Sequence, residues 1–167
     1  VKFNVAEQLT VTMNGRYDQL KLSYEDSLPG AAAPALDKSF NVSSYRAGLN
    51  YELADSMAVY SNISTGFRAP TINQLFAGTI SLTGNVAANP NLTPEKATNY
   101  EIGLRGKSDV MGGLEWDLAA FQIDRKDFIL NVAGQYANPQ TGVMDQYDNI
   151  GGMRNRGVEL AVNSDED

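Results

Sequence analysis

The amino-acid sequence predicts an all-β fold of antiparallel, up-and-down strands. Apolar and polar residues alternate with a period of two through several segments, which is typical of strands whose two faces meet different surroundings. The connections between these segments alternate between short and long. No convincing helical pattern appears, apart from one short turn that we expect at residues 71–76, after Pro70.

The composition excludes several classes of protein. The chain has 167 residues with no Cys and no His, so it offers no thiolate or imidazole for a metal or for nucleophilic catalysis. Its formal net charge of −7 is opposite in sign to the basic footprint of proteins that bind nucleic acids. We therefore expect no catalytic site, no metal site, no cofactor and no nucleic-acid partner.

The ends and the hydropathy of the chain set further expectations. No apolar run approaches the ~18 residues of a candidate transmembrane helix. The N-terminus shows neither an initiator Met nor the pattern of a signal peptide. This indicates a mature product or a piece of a longer chain.

The first long strand is expected to begin at residue 9, after a short strand end at residues 1–5. Its apolar positions are Leu9, Val11, Met13, Gly15 and Tyr17. Beyond Asp18 the apolar positions move to Leu20, Leu22 and Tyr24, and we interpret this shift as a β-bulge.

Further alternating segments bring the total to about six or seven strands. They lie at residues 45–53, 57–67, 100–104, 114–132 and 158–162. We expect one face of the sheet to carry Leu49, Tyr51, Val59, Ile63, Ile102, Leu104, Val158 and Leu160. The opposite face should carry Asn50, Asn62, Glu101, Arg105 and Glu159.

The lengths of the connections favour a barrel that crosses a membrane. The short connections are residues 6–8, 54–56 and 107–113, and the long ones are residues 25–38, 69–97 and 133–146. Transmembrane β-barrels have short turns at the periplasmic end and long loops at the outer end, so we expect the two groups at opposite ends of the sheet. The alternation fits equally a soluble β-sandwich, an adhesin-like module that recognises a carbohydrate or a protein.

Three segments resemble one known family in the same order along the chain. They are YSNISTGFRAPT at residues 60–71, NPNLTPEKATNYEIGLR at residues 89–105 and NIGGMRNRGVEL at residues 149–160. Each is similar to a strand-and-loop segment in the barrel of TonB-dependent outer-membrane receptors. Together they cover most of residues 57–162.

The resemblance implies a barrel of about 22 strands that holds a plug domain. It implies a place in the outer membrane of a Gram-negative bacterium, with outer-membrane lipid around the barrel. It further implies import of a ferric siderophore or other iron complex, driven by the inner-membrane TonB complex through the plug. Residues 1–167 show no plug or coupling box, so we expect them to form part of the C-terminal half of such a barrel.

Six residues are candidates for functional contacts. Arg68, Phe76 and Tyr136 lie in or near the long connections and are candidate ligand-binding residues. An alternative for Arg68 is an ion pair with a loop carboxylate. Glu101, Arg105 and Glu159 are expected to face the lumen and the plug. The sequence does not identify the ligand.

A sheet of this size is too small to close such a barrel, because even the smallest outer-membrane barrels have about eight strands. We therefore expect unpaired edges at residues 9–24 and 158–162. Unpaired edges template pairing with other strands, so the isolated chain should join a larger barrel or self-associate.

Overall fold

A computed structural model describes residues 1–25, 36–78, 85–108, 113–138 and 142–164, with side chains described except at residues 135–138 and 142–144. These residues form one sheet of eight strands in the order β1-β2-β3-β4-β6-β7-β8-β5. The strands are β1 (Lys2–Ala6), β2 (Leu9–Tyr24), β3 (Leu36–Ala54), β4 (Met57–Arg68), β5 (Val86–Ala87), β6 (Glu95–Ser108), β7 (Leu114–Asn138) and β8 (Gly142–Ser164).

All neighbouring strands are antiparallel except the short pair β5 and β8. The short connections meet at one end of the sheet, where the amide of Lys107 donates to the Ser56 carbonyl at 2.9 Å. The long connections begin at the other end, where Arg68 is paired with Glu95. The predicted separation of short and long connections is confirmed for the parts that the structure describes, and residues 26–35, 79–84, 109–112 and 139–141 lie outside them. A second sheet is not present among the described residues, so the β-sandwich alternative, which needs two sheets, is wrong.

The pairing confirms the predicted division into two faces. Residues directly opposite each other on antiparallel strands share a face, and residue faces alternate along each strand. The ladder from Leu49 through Ser61, Ile102 and Ala120 to Val158 places every apolar residue of the prediction on one face. The same registers place Asn50, Asn62, Glu101, Arg105 and Glu159 on the other. These are called the apolar face and the polar face below.

The predicted bulge after Asp18 is wrong. β2 pairs with β3 from Leu9 to Tyr24 without a shift of register. Leu20 and Leu22 therefore point to the polar face, beside Phe40 on β3. The strand stays regular because the surroundings of the polar face become apolar at its long-loop end.

A cluster of apolar side chains causes that change. Its buried members, called the loop cluster, are Phe40, Val42, Leu75, Leu92 and Ile129. Leu75 and Leu92 come from the connection between β4 and β6 and are 0% and 1% exposed. The described parts of the connection, residues 69–78 and 85–94, therefore fold back over the polar face and cover the long-loop end of β3 and β7.

The predicted loop at residues 133–146 is wrong for most of its length. β7 continues to Asn138 and β8 begins at Gly142, so the two form a hairpin of 25 and 23 residues. Asp127 and Gly151 interrupt the ladder with φ angles of 57° and 51°. The alternation of the sequence fades there because neither face of this projecting hairpin has uniform surroundings.

Of the two predicted edges, the one at residues 9–24 is partly covered and the one at residues 158–162 is open among the described residues. β1 pairs with the first residues of β2, from Leu9 to Thr12, which confirms the expected strand end at residues 1–5. The free edge of β2 is therefore shorter than predicted. β5 pairs with Asp145 and Gln146 of β8. Within the described residues, the edge of β8 at residues 158–162 has no neighbour beyond it.

The predicted turn at residues 71–76 is a short π-helical turn at Asn73–Ala77. The amide of Gln74 donates to the Thr71 hydroxyl at 3.3 Å, and the Thr71 amide donates to the Gln74 side chain at 3.0 Å. This reciprocal pair is the hydrogen-bond pattern of a capping box. No helix in the described part of the chain is long and apolar enough to cross a membrane.

Candidate functional site: the polar face and the loop cluster

The best-connected polar residues lie on the polar face, towards the short turns. The Tyr60 hydroxyl donates to Asp117 Oδ1 at 2.8 Å. The Arg105 guanidinium stacks over the Tyr60 ring at 5.4 Å and donates to Asn50 Oδ1. These four residues come from β3, β4, β6 and β7, so they tie four strands together across the face.

The ring of Tyr60 has room because its neighbour on β6 is Gly103. A Cβ atom at Gly103 would lie 2.3 Å from Tyr60 Cζ, well inside contact distance. A trough of about 440 Å³ opens beside this network, lined by Asn50, Arg105 and Asp117 among others. The polar face therefore presents a fixed set of donors and acceptors next to open space.

Replacing Gly103 with Ala should disrupt this network. The new methyl group would displace the Tyr60 ring, which costs the hydrogen bond to Asp117 and the contact with Arg105. We expect a loss of about 1–3 kcal/mol in the free energy of unfolding, measured by urea titration of the complete protein in lipid vesicles.

The matched control is Gly66→Ala on β4, where an added Cβ has no atom within 4 Å. Its effect should stay within about 0.5 kcal/mol. Equal effects of the two substitutions would contradict the assigned role of Gly103.

The structure brings together only part of the predicted lumenal set. Glu101 accepts a hydrogen bond from Asn62 at 3.3 Å and lies on the polar face, four residues along β6 from Arg105. Glu159 is on the same face, but on β8, two strands away from β6. That this face lines a lumen stays a prediction. The sequence does not single out Tyr60 and Asp117 as functional residues. Tyr60 lies opposite Gly103 and reaches Asp117 only through the pairing of the strands, and this pairing is not visible in the sequence.

Arg68 forms an ion pair with Glu95 at the long-loop end of the polar face. The Arg68 Nε donates to Glu95 Oε2 at 2.8 Å, and its Nη2 contacts the other carboxylate oxygen. Glu95 also accepts the amide of Ile129 at 2.8 Å, so it joins β4, β6 and β7. The alternative proposed for Arg68, an ion pair with a carboxylate, is therefore observed. Ligand contact by Arg68 stays a prediction.

The Arg68–Glu95 pair should make the loop end of the sheet sensitive to acid. The bonds from Arg68, and then that from Ile129, hold the pKa of Glu95 below its ordinary value of 4.5, against the opposing effect of burial. A lowered pKa contributes stability that is present above about pH 4.5 and is lost as the pH falls through the lowered value. We expect the exchange protection of the Ile129 amide to fall over that range.

In Glu95→Gln the carboxylate is gone, so this pH dependence of Ile129 exchange should vanish. Glu7→Gln, at an exposed turn at the opposite end, serves as the control and should leave it intact. An unchanged pH profile in Glu95→Gln would show that another group is responsible.

Phe76 is half-buried and packs against the loop cluster. Its ring stacks on Tyr24 with centroids 6.2 Å apart. Tyr136 lies on β7, where its backbone pairs with Met144, and its side chain is outside the described set. The candidate ligand contacts of both residues stay predictions.

Asn149 links two of the segments that sequence comparison singled out. Its side-chain amide donates to the carbonyl oxygens of Asp127 at 2.7 Å and Thr93 at 3.0 Å, and its oxygen accepts the Thr93 amide at 2.8 Å. The Thr93 segment and the Asn149 segment are thus joined side by side. Both segments are visible in the sequence, but their connection through Asn149 is not, because it joins residues that are 56 apart in the chain.

In the described part of the chain, no group of three or more acidic, Cys or His side chains is arranged to hold a metal ion. Two carboxylates of the β7–β8 hairpin have other partners. Asp124 pairs with Arg154, and Asp145 accepts from Asn131 at 3.0 Å.

Comparison with known proteins assigns the fold to a family. A family model described as "TonB dependent receptor-like, beta-barrel" matches residues 1–165. The chain is 33% identical over 131 residues to the iron-regulated outer membrane virulence protein of Vibrio cholerae, covering 77% of this chain and 17% of that protein. It is 30% identical over 112 residues to the vitamin B12 transporter BtuB of Photobacterium profundum, covering 67% of this chain and 16% of that protein.

Solved structures give the same fold. The hemophore receptor HasR of Serratia marcescens, in complex with its hemophore HasA and heme, matches with a TM-score of 0.75 at 19% identity, over 95% of this chain and 30% of HasR. The copper transporter OprC matches with a TM-score of 0.70 at 23% identity, over 96% of this chain and 24% of OprC.

The chain spans less than a fifth of the length of these two curated relatives. The matched family model covers nearly the whole chain, and the open antiparallel sheet with one apolar face fits its fold. The chain belongs to the TonB-dependent receptor β-barrel family, and its location is the cell outer membrane.

Proposed function

We propose that this chain is one sector of the barrel wall of an outer-membrane receptor that imports an iron complex, either a ferric siderophore or haem. The plug, the remaining strands and the contact with the TonB complex belong to the rest of the receptor. Its part in transport is binding and passage, without catalysis.

The apolar face carries this proposal. Val158 and Leu160 are 72% and 66% exposed, although both are large aliphatic residues in regular strand. Exposed apolar rows of this extent are unfavourable in water but suit a lipid surface.

The polar face then lines the inside of the barrel. Its network of Tyr60, Arg105 and Asp117 lies at the end of the short turns, which is the periplasmic end in such barrels. Glu101, Arg105 and Glu159 can there meet a plug through hydrogen bonds and ion pairs. We assign these residues to contact with the plug rather than with the ligand.

The loop cluster holds the connection between β4 and β6 over the outer end of this face. Because the cluster is buried, the connection offers a firm surface rather than a free loop. We propose that Arg68 and Phe76, at the outer end of the face, and Tyr136, further along β7, form part of the entrance for the ligand. Two similar proteins support an iron complex as the ligand. One is the iron-regulated virulence protein of Vibrio cholerae, and the other is the receptor HasR, whose structure was solved with heme.

The test uses the complete receptor in a strain that lacks its other iron-uptake receptors. Uptake is measured with a radiolabelled ferric hydroxamate, a ferric catecholate, haem and cyanocobalamin. We expect uptake of at least one iron probe, no uptake of cyanocobalamin and loss of uptake when the proton-motive force is collapsed. Import of cyanocobalamin without any iron probe would reject the iron-complex proposal.

A further inference from the structure

The ladder between β6 and β7 stops before the connection that leads into β6. Its last described pair joins Lys96 to Lys126. Beyond this pair the connection still runs beside β7, at Thr93, Asp127 and Ile129, but side chains make the contacts between them. These side chains therefore decide where the connection lies relative to β7.

Two side chains take over from the backbone ladder. Glu95 accepts the amide of Ile129 at 2.8 Å. Asn149 on β8 donates to the carbonyl oxygens of Asp127 at 2.7 Å and Thr93 at 3.0 Å, and it accepts the Thr93 amide at 2.8 Å. Main-chain amides and carbonyls need hydrogen-bond partners, and together the two side chains supply partners for four such groups.

Only an amide side chain fits the place of Asn149. Two of the backbone groups around it are carbonyl oxygens that need donors, and the third is an amide that needs an acceptor. Asn has two donors on its nitrogen and an acceptor oxygen, whereas the carboxylate of Asp has acceptors alone. Asn149 also has no charge to lose, so its hold on Thr93 persists at a pH where that of Glu95 on Ile129 is lost.

The backbone that Asn149 binds on β7 has an unfavourable conformation. Asp127 has a φ angle of 57°, in the left-handed region that costs conformational free energy for a residue other than Gly. Its neighbour across the hairpin, Gly151, has a φ angle of 51°, and these two residues are missing from the ladder. Such a conformation persists where its surroundings hold it. Asn149 supplies one such contact, at the Asp127 carbonyl.

The segment that Asn149 holds carries parts of the proposed entrance on both sides. Leu92, directly before Thr93, is 1% exposed in the loop cluster. Glu95, two residues after Thr93, binds Arg68. Pro94 between them is buried and has a fixed φ angle, so it absorbs little of a displacement of Thr93. A shift at Thr93 is therefore passed on to Glu95 and to its partner Arg68.

We propose that Asn149 is a positioning residue for the ligand entrance. It fixes the segment from Thr93 to Glu95 against the β7–β8 hairpin and thereby sets the place of Arg68. Its side chain acts through Arg68 and has no need to touch the ligand. Loss of this contact lowers the affinity for the ligand and leaves the passage of bound ligand unchanged. The inference rests on the proposed function, in which Arg68 is part of the entrance.

The first test needs no ligand and measures hydrogen exchange of the Ile129 amide in the complete receptor. Asn149→Asp keeps the size and the acceptor of the side chain but removes both donors. We expect Ile129 to exchange about 10-fold faster at neutral pH, because Glu95 is displaced with Thr93. Asn149→Ala, which adds no charge, should act in the same direction.

The matched control is Asn155→Asp, the same change at an exposed position on the same face of β8. It should leave the exchange of Ile129 within about 2-fold of wild type, a change of less than about 0.5 kcal/mol. Unchanged exchange in both Asn149 variants, or an equal effect of the control, would overturn the positioning role.

The second test separates affinity from passage. Binding of haem and of a ferric catecholate to the purified receptor is compared with uptake of the same probe at saturation. We expect Asn149→Asp to bind the imported probe about 10-fold more weakly with unchanged saturating uptake. In an Arg68→Gln background the same substitution should change binding less than about 2-fold, because residues that act through each other are not additive.

Two results of the second test would overturn the proposal. One is a fall in saturating uptake in Asn149→Asp. The other is an equally large loss of binding when Arg68 has already been replaced. Wild-type binding by Arg68→Gln alone would remove Arg68 from the entrance and overturn the route through it.

Failure of the proposed cargo is recognised separately. A receptor that neither binds nor imports an iron probe contradicts the iron-complex proposal. Exchange of the Ile129 amide then decides the role of Asn149 by itself, since faster exchange in both Asn149 variants with an unchanged control supports it and unchanged exchange overturns it.

Discussion

Replacing Leu160 with Arg is expected to lower the free energy of unfolding of the complete receptor in lipid vesicles by about 2–4 kcal/mol, the cost of a cation on the lipid face near the middle of the membrane. Leu160 lies on the apolar face of β8 in register with Leu118 and is 66% exposed, so little packing inside the protein is lost. The cost therefore reports mainly the surroundings of the face. The measurement is urea titration followed by the electrophoretic shift between folded and unfolded receptor.

The adjacent residue supplies the control. Ala161 is also exposed on β8 but points to the polar face, opposite Asp117. Arg in place of Ala161 meets a carboxylate on that face, and we expect a change within about 0.5 kcal/mol. A larger effect at Ala161 than at Leu160 would mean that the two faces are assigned the wrong way round.

Replacing Leu75 with Ala is expected to open the connection between β4 and β6. Leu75 is 0% exposed at the centre of the loop cluster, and removing a buried Leu side chain costs about 2–5 kcal/mol. The loss should appear in the exchange protection of amides 71–78 and 85–93, whereas the central ladder of β6 and β7 should keep its protection. Uptake of the iron probe should fall, because the entrance loses its firm surface.

Ile72→Ala is the matched control on the same short turn. Ile72 is 38% exposed, so its truncation should change the exchange of the connection by less than about 1 kcal/mol. If Leu75→Ala unfolded the whole sheet, the cluster would be part of the barrel's overall stability and not a local platform. If neither substitution changed exchange, the connection would not depend on the cluster.

For the central parts of the strands, the sequence correctly predicts which residues share a face of the sheet and which connections lie at each end of it. The rows around Leu49, Ile102 and Val158 follow from period-two alternation, because each residue there meets one uniform surface on each side. The separation of short and long connections followed from the same reading. The family followed from three ordered segments, which need no knowledge of packing.

The candidate site was less predictable. The sequence placed Glu101 and Arg105 on the correct shared face, but it gave no sign that Tyr60 lies over Gly103 or that Arg105 stacks on it. These contacts join strands that are about forty residues apart in sequence, and only the register brings them together. Arg68 illustrates the same point, since Glu95 is a local neighbour only across the β4–β6 ladder.

By itself, the sequence determined which face of each central strand is apolar, the up-and-down order and the membership of the receptor family. The tertiary structure alone decided that Leu20, Leu22 and Phe40 belong to the polar face and that residues 133–146 continue as strands. It alone decided that Asn149 holds the Thr93 segment. The physical reason is that alternation reports the surroundings of a strand only where they are uniform. At the long-loop end the surroundings are made by a connection that folds back from elsewhere in the chain, and its contacts are not encoded in any local period.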